Sequence, residues 1–73
     1  MAHANDAAAV SASQITWVET IGGSKIRVDS AAYVDLSLGT LSEPALQLRP
    51  HGGGLCFVPV RAIARIDIDP SRA

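Results

Sequence analysis

The strongest constraint on the fold is an alternation of apolar and polar residues that runs from Gln14 almost to the end of the sequence. Lys25 to Asp29 and Tyr33 to Leu38 place aliphatic side chains at every second position, and eleven residues from position 14 onward are Val or Ile. A period of two puts one side of a strand in the core and the other in water, and β-branched side chains disfavour helices. The sequence therefore predicts an all-β fold.

Glycine and proline divide this pattern into short strands. Turns are predicted at three places, Gly22-Gly23-Ser24, Gly39 and the loop Pro50-His51-Gly52-Gly53-Gly54. Pro59 suits the first position of a short helical turn that reaches Ile63, after which Ala64 to Asp69 is the last strand. Five or six short strands joined in this way fit a small barrel, because a barrel closes its own sheet edges.

The size of the chain allows one small domain. All Val, Ile and Leu residues of the 73-residue sequence except Val10 lie between Ile15 and Ile68. We therefore expect a flexible alanine-rich tail over residues 1–13, a β-barrel domain over 14–69 and a short tail over 70–73. A net charge of −1 argues against general attraction to phosphate backbones or anionic membranes.

No stretch resembles a secretory signal or reaches the roughly 20 apolar residues of a membrane span. We expect a cytoplasmic protein with no membrane partner. The single cysteine, Cys56, argues against a disulfide framework and against a zinc site built on several cysteines. His3 and His51 are the other candidate ligands, but His3 lies in the predicted tail and Cys56 lies in an apolar run. The sequence predicts no metal and no cofactor.

His51-Gly52-Gly53-Gly54 has the letters of an esterase oxyanion loop, whose backbone amides hold a developing negative charge. No Gly-x-Ser-x-Gly elbow accompanies it, and no Gly-Lys-Ser/Thr follows the glycines as a phosphate-binding loop requires. A chain of this length also has no room for the hydrolase sheet. We predict no enzymatic activity and no small-molecule substrate.

Leu55 to Ile68 is predicted to form a strand, a tight turn carrying Arg61-Ala62-Ile63 and a closing strand. This stretch resembles the second signature of the Sm-like (LSm/Hfq-like) superfamily, and Gly39-Thr40-Leu41 is similar to part of the first. The resemblance implies an SH3-like (Sm-like) barrel and an RNA contact at Arg61. Ser42-Glu43-Pro44 departs from the first signature, so the resemblance implies no base contact in that loop.

The predicted RNA-binding residues are the cations Arg61, Arg65 and Lys25. For Arg65, the alternative of pairing with Asp29, Asp67 or Asp69 on the surface is favoured. It is not favoured for Arg61, because the neighbouring residues in the sequence, Val60, Ala62 and Ile63, contain no acid. Trp17 and Tyr33 are predicted to pack in the core or at an interface, and stacking on an exposed base is their alternative.

The run Leu55 to Val58 has apolar residues on both sides of the strand, and the interior of a single narrow barrel has no room for all of these side chains. An open sheet edge also invites pairing with another copy. We predict Phe57 and Ile66 in the core and a homo-oligomer whose interface includes Leu55, Phe57 and Val58. A ring would repeat a modest basic patch into a multivalent surface. The predicted function is a non-catalytic homo-oligomeric barrel that binds single-stranded RNA, and the alternative is a structural or adaptor barrel that acts through protein assembly.

Overall fold

The computed structural model describes residues 11–72, except for the side chain of Leu38. The strands are β1 (Ile15–Thr20), β2 (Lys25–Leu38), β3 (Leu41–Pro50), β4 (Cys56–Pro59) and β5 (Ile63–Ile68). A 3₁₀ turn, Ala12–Gln14, precedes β1, and a second, Val60–Ala62, joins β4 to β5. The predicted all-β fold is confirmed. Of the predicted flexible tail, residues 1–10 lie outside the described residues.

All five strands belong to one antiparallel sheet with the order β4-β3-β2-β1-β5. Strand β5 returns to pair with β1, so within the described part of the chain β4 and β5 lie at the two edges and form no ladder with each other. Over residues 11–72 the sheet is therefore open, and its closure into a barrel stays a prediction.

The short connection between β4 and β5 requires the sheet to curl. Neighbouring strands lie about 4.8 Å apart, so a flat sheet of five strands would hold its outer strands about 19 Å apart. The four residue steps from Pro59 to Ile63 span at most about 14 Å even when fully extended. The N–H of Ile21 donates to the carbonyl of Ala62 (2.9 Å) and ties this connection to the far end of β1. The two edge strands therefore approach each other at this end of the sheet.

The core lies on the inner side of the curled sheet. Its buried side chains come from the first four strands: Ile15, Val18, Val28, Leu46, Leu48 and Val58. Partly buried apolar residues, among them Ala12, Ile26, Cys56, Ile63 and Ile66, pack against them. Ile66, which is predicted in the core, is partly buried and packs against it.

A bulge in β2 reverses the alternation that the sequence suggests. Val28 pairs with Pro50 and Ser30 with Arg49, so two steps on β2 match one step on β3. An extra residue moves every following side chain to the opposite side of the sheet. Tyr33 is consequently paired with the buried Leu46, and Val34, expected on the core side, lies on the outer side.

Strand β2 is also longer than the sequence suggests. The pattern predicts separate runs over Lys25 to Asp29 and Tyr33 to Leu38, because Ser30, Ala31 and Ala32 carry no large apolar side chain. The structure instead has one 14-residue strand, since Ala31 and Ala32 pair continuously with β3. The fold has five strands as a result.

Candidate functional site

The two edge strands carry exposed apolar side chains. Phe57 on β4 is 45% exposed and Ile68 on β5 is 43% exposed. Within residues 11–72 each strand pairs on one side only, so each leaves a row of backbone N–H and C=O groups without a partner strand from this part of the chain. The molecule thus has two strand edges that are both open and partly apolar.

The sequence places Leu55, Phe57 and Val58 together at an interface, and the structure separates them. Leu55 (50% exposed) and Phe57 are on the surface, whereas Val58 (7% exposed) faces the core and pairs with Leu46. The prediction that Phe57 lies in the core is wrong. Alternation explains the correction, because Val58 and Cys56 face inward and Phe57 between them must face outward.

An apolar surface, here called the apolar face, covers the outer side of the sheet next to the β4 edge. It consists of five residues on three neighbouring strands, Val34, Leu36, Ala45, Phe57 and Pro59. Ala45 is fully buried although it lies on the outer side, and Val34 is partly buried beside it. The bulge in β2 creates this face, since it turns Val34 and Leu36 outward.

The predicted RNA contact, Arg61, lies in the 60–62 turn and is engaged by an acidic partner. Its Nε donates to Oε1 of Glu43 on β3 (3.0 Å), and the Arg61 side chain is exposed. The residues next to Arg61 in the sequence do not indicate this pairing, because Glu43 is 18 residues away along the chain. The charge of Arg61 is therefore largely balanced in this arrangement.

Arg65 and Lys25 lie together on the outer side of β5, β1 and β2. Both residues are register neighbours of Glu19, with Arg65 on one side and Lys25 on the other. Arg65 donates through Nε to Asp67 Oδ1 (3.0 Å), which is the surface pairing given above as its alternative.

Trp17 is at the centre of this surface. It is 40% exposed on the outer side of β1, and its register partners are Arg27 and Asp67. We call this surface the charged face, and it consists of Trp17, Glu19, Lys25, Arg27, Arg65 and Asp67. A shallow depression on it is lined by five of these residues and Val18. Trp17 is thus not a core residue, and the structure groups it with Lys25 and Arg65 but not with Arg61.

His51 and Cys56 are the remaining candidate ligands among the described residues. Nδ1 of His51 lies 3.0 Å from Oδ1 of Asp29, and both side chains are exposed. Cys56 is a free, half-buried thiol. Among the described residues, no group of three His, Cys, Asp or Glu side chains is placed to hold a metal ion. His3 lies outside them.

Burial and hydrogen bonding shift the pKa values of Tyr33 and Asp69 in opposite directions. Burial raises the pKa of Tyr33, which lies on the core side of β2. Hydrogen bonds from the hydroxyl and the backbone N–H of Ser71 lower the pKa of Asp69. Neither residue belongs to the charged face or to the apolar face.

In comparisons with known proteins, no family model, curated protein or solved structure matches this chain. Over the part that the structure describes, the chain has no helix with the length and apolar character needed to cross a membrane.

Proposed function

We propose that the chain is a non-catalytic assembly module in which β4 of one copy pairs with β5 of the next. The observation that supports this function is that both edges of the open sheet carry exposed apolar side chains, Phe57 and Ile68. Natural proteins usually protect such edges with charges, proline or bulges. On β4 only Pro59, its last residue, is of this kind, so the remainder of that strand is available for pairing. Strand β5 carries the charges Arg65 and Asp67 and a bulge between Arg65 and Ile63, and its exposed apolar residue is Ile68 at its end.

Pairing between two different edges is heterologous. Repeated heterologous contacts form a ring when the rotations between successive copies add up to a full turn. In this arrangement each copy would complete the sheet of its neighbour. The resemblance to an Sm-like barrel supports the same proposal. The turn carrying Arg61, which is part of that resemblance, joins the two edge strands β4 and β5 directly. The curl of the sheet brings the two edges near each other without pairing them.

Phe57→Lys tests the assembly, with Trp17→Lys as its matched control. The two aromatic side chains are exposed to a similar extent, 45% and 40%, but Phe57 lies on an edge strand and Trp17 on a central one. In sedimentation velocity, Phe57→Lys should give smaller particles than the wild type, and Trp17→Lys should leave particle size unchanged. Equal particle sizes for both variants and the wild type would contradict an interface at β4.

One observation favours a second function, the binding of single-stranded RNA. Lys25 and Arg65 line the same depression as the exposed Trp17, and bases stack on aromatic side chains beside cations. Arg61 is the weaker candidate because it does not line this depression; both arginines are paired with an acid, Arg61 with Glu43 and Arg65 with Asp67. The RNA would therefore bind at the charged face and not at the 60–62 turn.

Trp17 is the only tryptophan of the chain, so its fluorescence reports on this surface alone. Oligo-U or oligo-A at low salt should quench the fluorescence, and added salt should reverse the quenching as counterions compete. Lys25→Gln and Arg65→Gln should weaken binding, and Arg49→Gln, which removes an exposed cation from β3, should not. Absence of quenching with tens of micromolar RNA would contradict RNA binding and leave assembly as the one proposed function.

A further inference from the structure

The segment that follows β5 folds back onto the start of β1. The N–H of Asp69 donates to the carbonyl of Gln14 (2.9 Å), and Nε2 of Gln14 donates to the carbonyl of Pro70 (3.3 Å). These two bonds extend the contact between β5 and β1 beyond the last paired strand residue, Ile68. Residues 70–72, which the sequence suggests as a tail, are therefore held against the sheet.

A tight turn directs the end of this segment back toward the sheet. The carboxylate of Asp69 accepts hydrogen bonds from the backbone N–H (3.0 Å) and the hydroxyl (2.7 Å) of Ser71. The N–H of Arg72 donates to the carbonyl of Asp69 (3.0 Å). This pattern is a local turn stabilised by an aspartate side chain, and it places Arg72 beside β1.

The guanidinium of Arg72 bridges two strands at their irregular positions. Its Nη1 donates to the carbonyl of Ile15 (2.6 Å) on β1 and to that of Val28 (3.1 Å) on β2. Ile15 and Val28 are the residues at which the register shifts of β1 and β2 begin, and both side chains are buried. Ladder bonds are disrupted at bulges, so carbonyls there need another donor. Arg72 supplies that donor to both strands.

We propose that residues 69–72 are a conformational latch that holds the end of β5 in place. The latch is closed when Arg72 bridges Ile15 and Val28, and its release frees Asp69 and Ile68 from β1. Because β5 is one of the two assembly edges, release would also weaken assembly, and this second consequence rests on the proposed function. The planar guanidinium suits the bridge better than an ammonium group, which is a compact and strongly hydrated charge.

Arg72→Gln tests the latch, with Arg49→Gln as the control for the loss of one arginine charge. Amide hydrogen exchange, measured at a protein concentration at which the chain is monomeric, should be about tenfold faster at Asp69 in Arg72→Gln, since the charge-assisted hydrogen bonds to the carbonyls of Ile15 and Val28 are lost. Exchange at Ile21, whose N–H bonds to Ala62 at the other end of β1, should be unchanged. Unchanged exchange at Asp69, or equal acceleration at Asp69 and Ile21, would overturn the latch.

Arg72→Lys keeps the charge and provides the test if Arg72→Gln does not fold. The Asp69 amide of Arg72→Lys should exchange faster than that of the wild type. An exchange rate equal to that of the wild type would overturn the role of the guanidinium. Sedimentation of the folded variant then tests the link to assembly. Smaller particles than for Arg49→Gln support the link, and unchanged particles together with faster Asp69 exchange overturn it. A monomeric wild type would contradict the proposed assembly without affecting the exchange result.

Discussion

The outer side of the sheet has a different character in each half of the molecule. On the charged face, acidic and basic side chains alternate across β5, β1 and β2 around Trp17. On the apolar face, Val34, Ala45 and Pro59 form one row across β2, β3 and β4, and Phe57 lies in the next row. Both faces belong to one continuous sheet, yet one is suited to water and the other to a covering partner.

The comparison shows that the position of one bulge determines which side chains meet solvent. Before the bulge in β2, Lys25 and Arg27 face outward, and after it Val34 and Leu36 do. The apolar face adjoins the open edge of β4, so a copy that pairs with β4 would also cover Phe57. The charged face surrounds a strand that is already paired on both sides, β1. Assembly is therefore proposed for the two edges, β4 beside the apolar face and β5 beside the charged face, and ligand binding for the charged face alone.

The largest effect is expected in the core, which both halves share. Leu46 is fully buried on β3, and Leu46→Ala should lower the free energy of unfolding by about 2–5 kcal/mol through lost contacts and a cavity. Denaturant unfolding measures this loss. A loss no larger than that of a surface substitution would mean that the inner side of β3 is not the core, and the distinction between inner and outer sides would fail.

A smaller effect is expected on the apolar face. Phe57→Ala should cost the monomer less than about 1.5 kcal/mol, because about half of the side chain is already in water. The same substitution should have a clear effect on assembly. Denaturant unfolding at low protein concentration separates the two contributions. A monomer loss of the size expected for Leu46→Ala would place Phe57 in the core.

The ion pairs of the two halves should differ in strength. Glu43 borders the apolar face with 25% of its side chain exposed, whereas Asp67 on the charged face is 44% exposed. Double-mutant cycles should give about 0.2–1 kcal/mol for Arg65 with Asp67 and a larger coupling for Arg61 with Glu43, because exposed pairs are screened more strongly. Equal coupling energies for the two pairs, with an equal decrease on addition of salt, would contradict the expected difference between the halves.

The smallest effect is expected at Asp69, at the end of β5. Hydrogen bonds from Ser71 hold its pKa below the ordinary value, so the ionised carboxylate stabilises the folded state. This contribution is present above the ordinary aspartate pKa and is lost as the pH falls through the lowered value. Asp69→Asn should therefore reduce the dependence of stability on pH in strongly acidic solution. An identical dependence in the variant and the wild type would contradict a role for this turn.

Much of the fold follows from the sequence, because its signals are local. Gly22-Gly23-Ser24 and the Pro50 to Gly54 loop break the alternation where the chain turns, and Gly53 and Gly54 have positive φ angles that favour glycine. The turn after Pro59 follows from the fixed φ of proline. Val34 lies on the opposite side from the one that the alternation predicts, since one bulge changes which side the following residues face and leaves no clear mark in the sequence. The prediction for Phe57 is wrong for another reason, because the run 55–58 is apolar at every position and does not indicate which residues face inward.

The candidate sites are less predictable, because they depend on partners that are distant in sequence. Glu43 approaches Arg61 from 18 residues away, and Glu19 separates Lys25 from Arg65 only once the register is known. Arg72 joins carbonyls that are 57 and 44 residues away. The apolar run at β4 indicated an interface, but only the structure shows which of its side chains are exposed.

Sedimentation velocity of the wild-type chain over a range of concentrations tests the central proposal, that the open edges β4 and β5 pair between copies. We expect particles larger than a monomer, and native mass spectrometry should give one discrete subunit number if a closed ring forms. Monodisperse monomer at every concentration would contradict assembly through the two edges.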